Sequence, residues 1–85
     1  MPTILLIHGW RFFFYANERH EPIHIHCQKA EAEVKYWIDV AGFAIREAYS
    51  YNMSPADERT VRRIIFDHFD YVVSEWNRFQ EMKDA

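Results

Sequence analysis

Apolar and polar positions alternate in twos along the first half of the chain and recur in threes and fours along the last third. That change of period predicts strands followed by helix. Residues 1–7 form a β-branched, apolar run closed by His8-Gly9, a turn signal. Residues 10–15 read as a second strand, with Trp10, Phe12 and Phe14 on one face and Arg11, Phe13 and Tyr15 on the other. Both faces of that strand are aromatic, so both need cover. After a polar stretch, residues 23–28 alternate again, placing His24 and His26 on one face and Ile23, Ile25 and Cys27 on the other, with Pro22 at the strand's start. Residues 29–31 are the expected turn into a fourth run, where Ala32, Val34, Tyr36 and Ile38 face inward and Glu33, Lys35 and Trp37 outward. Between residues 39 and 53 the alternation weakens, and residues 43–49 suit either a short edge strand or a single helical stretch.

Ser54-Pro55-Ala56-Asp57 is a helix start: a capping serine, proline at the first helical position, and an acid three residues after the cap. From there Val61, Ile64, Ile65, Phe69, Val72, Trp76 and Phe79 make one stripe at 100° per residue, with Arg59, Arg63, Asp67, Asp70, Ser74, Asn77 and Arg78 opposite. A helix over residues 54–81 is roughly 40 Å long, more than a small sheet covers, so an overhang for a partner or a second copy is expected. The expected fold is α+β in a single domain, residues 1–85. An antiparallel meander of three to four strands over about residues 1–50 packs against one long C-terminal helix.

Composition narrows the function. Ten Lys and Arg stand against thirteen Asp and Glu, a formal charge of −3, which does not support a general nucleic-acid surface. A single cysteine makes no internal disulfide, and no apolar run reaches the roughly 20 residues of a membrane span. The expectation is a cytoplasmic protein away from the membrane.

The densest chemistry lies in His20, Glu21, His24, His26 and Cys27. Imidazoles two apart on a strand project from one face and can converge on an ion such as Zn²⁺, with His20, Glu21 or His68 as a further ligand. His68 draws notice because it falls inside the helix's apolar stripe, where a polar group needs a partner. The same residues suit acid–base work, with Glu21 orienting His24 or His26 and with Arg11 or Lys35 stabilising a phosphate. Set against both is the plainer reading of hydrogen-bonded structural histidines and ordinary strand-surface charges. Cys27 shares the apolar side with Ile25, where a thiol is inert. Arg59, Arg62 and Arg63 suit an acidic partner, a phosphate backbone or a solvated face. Trp37, on the polar side of its strand, is an interface anchor, with Phe13 and Tyr15 as further partner-contact candidates.

Taken together, Met1-Pro2-Thr3-Ile4, Gly9 with Arg11-Phe12 and Phe14, Glu21-Pro22 before His24 and His26, Ala32, Lys35 to Trp37, and Trp76-Asn77 resemble DUF4160, a family of small bacterial proteins of unknown function. The resemblance spans nearly the whole chain. It implies a gene pair with another small protein, of the toxin–antitoxin kind, and hence a protein-binding component. The alternatives are a ribonuclease or metal-dependent hydrolase built on Glu21, His24 and His26, and a homodimer without ligand. The sequence departs from the family at Cys27, Ile23, Ala30 and Asn52, the last two standing where glycine is expected. Asparagine tolerates the left-handed backbone that glycine supplies.

Overall fold

The computed structural model describes residues 3–15 and 21–84. Five strands run β1 (Thr3–Ile7), β2 (Trp10–Phe13), β3 (His24–Lys29), β4 (Ala32–Asp39) and β5 (Ala44–Tyr51), followed by helices α1 (Pro55–Asp67) and α2 (Phe69–Asp84). The sheet is an antiparallel meander in sequence order, β1-β2-β3-β4-β5. The α+β class and the meander are as expected, whereas the strand count of three to four and the single long helix are not.

The additional strand comes from the stretch with weak alternation. In β5, Lys35 pairs with Tyr49 and Tyr36 with Glu47, so Ala48 is an extra residue between them. A bulge of this kind reverses the parity of inward and outward positions and erases the period-two signal. The helix is divided at His68, whose backbone (φ −122°, ψ 27°) leaves the helical region. Its Nδ1 donates to the Ile64 carbonyl at 2.9 Å, which also accepts from the His68 backbone N–H at 3.1 Å. Each piece is then at most about 24 Å long, close to the span of the sheet beneath it.

The start of α1 follows the sequence. Ser54 Oγ accepts from the Asp57 backbone N–H at 3.0 Å, and Asp57 Oδ2 accepts from the Ser54 N–H at 3.2 Å, a reciprocal capping box. The apolar stripe is buried from Val61 through Trp76 and meets Trp10, Phe12, Phe14, Ile25, Cys27, Val34, Tyr36 and Ile38 in one core. Among the described residues, four other than glycine take left-handed backbone: His8, Ala30, Phe43 and Asn52 have φ of 53°, 52°, 49° and 55°. Two of these, Ala30 and Asn52, are the positions where glycine was expected. Phe43 is carried in its strained turn by ring contacts with Phe66 and Phe69, at centroid distances of 5.3 and 4.6 Å.

Candidate functional site

The sheet face opposite the apolar core gathers most of the sequence-identified residues, and α2 reaches it at His24 through Trp76. In β3, His24 and His26 point to this face, as the alternation requires, and β4 sends Lys35 and Trp37 beside them in register: His24 opposite Trp37, His26 opposite Lys35. Lys35 Nζ lies 2.6 Å from Glu21 Oε1 and 4.4 Å from the centre of the Trp37 ring. Only 7% of the Lys35 side chain is exposed. It is therefore no ordinary strand-surface charge; a buried ammonium requires both a counter-charge and a polarisable neighbour.

The histidines are held from several sides. His24 Nδ1–H donates to the Pro22 carbonyl at 2.8 Å, and its ring meets His26, Trp37 and Trp76 edge-on at 5.1, 5.5 and 4.9 Å. His26 is stacked on Phe13 at 5.5 Å and lies edge-on to Tyr15 at 4.5 Å. The Tyr49 hydroxyl donates to Glu33 Oε2 at 3.3 Å, which leaves its oxygen to accept from His26 Nδ1, also at 3.3 Å. Tyr49 and Glu33 were not singled out from the sequence. Glu33 shares the outward parity of Lys35 and Trp37, but Tyr49 lies beyond the bulge, where parity had failed.

Both imidazoles are closed off, with 0% of His24 and 1% of His26 exposed. Phe13, expected as a partner contact, is sealed within the chain by His26, by Tyr15 edge-on at 5.1 Å, and by the Arg11 guanidinium 4.5 Å above its ring. Arg11 Nε also donates to Thr3 Oγ1 at 2.6 Å. Tyr15 stays half-buried. His68 lies in the helix layer, committed to the Ile64 carbonyl. Among the described residues no three His, Cys, Asp or Glu side chains gather to hold a metal ion, His24, His26, Glu21 and His68 included. His20 lies outside the described residues. Cys27 is buried in the apolar core, and that burial pushes its thiol well above its usual value, so it is no nucleophile at neutral pH.

The open surface is next to this cluster rather than in it. Trp37 is half-buried and lines a groove of about 530 Å³ with Pro22 and Ile23 from the start of β3, Ile38 and Asp39 from the end of β4, and Ala44, Ile45 and Arg46 from the start of β5. The groove crosses three strand ends at one end of the sheet. Apolar side chains make most of it, and Asp39 and Arg46 are its charged members. The adjoining turn leaves Val40 and Phe43 50% and 58% exposed. This arrangement can take up an apolar side chain from another molecule; the histidine cluster, closed by its own rings, has the character of a scaffold.

No helix among the described residues is long and apolar enough to cross a membrane. Neither a curated protein nor a solved structure matches the chain. The family model of a domain of unknown function, DUF4160, matches residues 9–77, which include the histidine strand, Trp37 and the apolar stripe of both helices as far as Trp76. The chain belongs to that family.

Proposed function

We propose that this DUF4160 protein is a cytoplasmic protein-binding module of a two-gene, toxin–antitoxin-like pair, and that it grips its partner, the small protein encoded beside it, through the Trp37 groove. The observation that carries the reading is the contrast at Trp37 itself. The indole is packed against His24 and Lys35 and also lines an open apolar groove. A large ring held rigid by its own fold loses little entropy on binding, which is what makes a tryptophan an effective anchor. The hydrolase and ribonuclease alternative is disfavoured by the burial of His24 and His26, which leaves no room for a substrate at either imidazole.

Co-expression with the neighbouring gene's product tests the proposal. Wild type is expected to co-purify with it, and Ala44→Arg, which fills the groove from an exposed position, is expected to abolish association while the circular dichroism stays native. A wild-type protein that stays monomeric beside that product overturns the reading, as does one that dimerises with itself through the groove and ignores the neighbour.

A further inference from the structure

At the other end of the sheet, the turn between β1 and β2, the end of β3 and the polar face of α1 enclose a second groove, of about 760 Å³. Its character is cationic. Arg59 and Arg63 from α1 and Lys29 from β3 line it, with His8 and His68 beside them. Local structure does not account for this grouping. Arg59 and Arg63 are four residues apart on α1, a spacing at which like charges repel. Among the described residues none of Lys29, Arg59 and Arg63 makes an ion pair with a carboxylate.

Lys29 is also held in place. Its stem lies across Gly9, where an added Cβ would come within 3.1 Å of Lys29 Cε, and its Nζ is 5.9 Å from the centre of the Trp10 ring. Two carboxylates share the groove. Asp57 is engaged by the Ser54 backbone N–H in the capping box, and Asp67 remains. Thr60 adds a hydroxyl, and Ile7 and Ile64 form an apolar part of the wall.

We propose that this groove binds a phosphorylated small molecule of about nucleotide size, with Lys29, Arg59 and Arg63 on the phosphate and the Ile7–Ile64 wall against the organic part. Three cations from two elements that line one groove, none of them in an ion pair among the described residues, fit a group of concentrated negative charge. The volume falls in the usual range for a small-ligand site, and the chain's net charge of −3 speaks against a long nucleic-acid track. The site is separate from the Trp37 groove, so it stands or falls independently of the proposed partner.

The test is a titration of the whole protein with AMP, adenosine and inorganic phosphate at low salt, read by amide NMR shifts. AMP is expected to give saturable shifts at Lys29 and along residues 59–63. Arg59→Ala/Arg63→Ala, which removes two exposed side chains, is expected to weaken AMP at least tenfold while the remaining spectrum stays native. Adenosine is expected to bind at least tenfold more weakly than AMP. The proposal is overturned by absence of saturation with AMP, by equal affinity for adenosine or for inorganic phosphate, by shifts unaffected in the double variant, or by a hexanucleotide RNA binding tenfold more tightly than AMP.

Discussion

Phe12 and Phe13 are neighbours in β2, both with no exposed surface, and the two faces of the sheet seal them by different means. Phe12 points into the layer between sheet and helices, among Ile25, Val34, Val61 and Ile65, where nearly every neighbour is apolar. Phe13 points the other way and is covered by a histidine, a tyrosine and a guanidinium. The helix face is a core in the ordinary sense. On the opposite face polar groups are buried because each has a designated partner: Lys35 has Glu21, His24 has the Pro22 carbonyl, His26 has Tyr49. Such a face is specified by pairings rather than by volume, so it fails when one member is lost.

Truncating the two phenylalanines gives the widest separation. Phe12→Ala is expected to cost about 4 kcal/mol and Phe13→Ala about 2 kcal/mol, because Arg11 and Tyr15 over Phe13 are only half-buried and can settle into the cavity. Urea unfolding with unchanged slope checks both, and equal costs would mean the open face is as rigid as the core. The Glu21–Lys35 pair comes next. Glu21→Gln removes a counter-charge from the buried Lys35 ammonium and is expected to cost about 1–2 kcal/mol, less than a fully buried pair because Glu21 is about one-third exposed. Adding Lys35→Met is expected to recover most of that loss, and a double variant no better than the single would show that the pair is not the unit of stability.

Tyr36 tests the opposite case, a polar atom on the apolar face. Among the described residues its buried hydroxyl has no hydrogen-bond partner, and desolvation, followed by the Glu58 charge, pushes the phenol up to about 12 from 10.0. At neutral pH Tyr36→Phe is expected to be neutral or stabilising by up to about 1 kcal/mol, since no bond is lost. Between pH 10 and about 12 the unfolded phenol gives up its proton while the folded one keeps it, so the wild type's stability falls as pH rises through that window. The phenylalanine variant is expected to lose about 1–2 kcal/mol less across it, and parallel pH curves would contradict the desolvated phenol. The smallest effect belongs to the β3–β4 turn. Ala30→Gly at φ 52° is expected to stabilise by about 1 kcal/mol, read as a rise in Tm, because glycine carries no Cβ penalty there.

The faces of β2, β3 and β4 and the stripe of both helices were legible in the sequence, because each is a period that burial enforces at every repeat. The capping box at Ser54 was legible because it is local. What escaped were features created by long-range fit. His68 looked like a ligand within an apolar stripe, but its nitrogen serves the carbonyl one turn back, at the residue where α1 ends. Tyr49 was hidden by the bulge at Ala48, and with it the partner of His26. The histidine pattern announced a shared face correctly. Whether that face was wet depended on Phe13, Trp76 and Glu21, which approach from elsewhere in the chain.

The central claim is that contact with a partner is made at the Trp37 groove and that the histidine face supports it. Calorimetric titration of the neighbouring gene's product into Ala44→Arg and into His26→Gln, with folding confirmed for both, tests it most directly. The account predicts that binding is lost in Ala44→Arg and kept within about threefold in a less stable His26→Gln. Undiminished binding by Ala44→Arg, together with binding abolished in a folded His26→Gln, would contradict it.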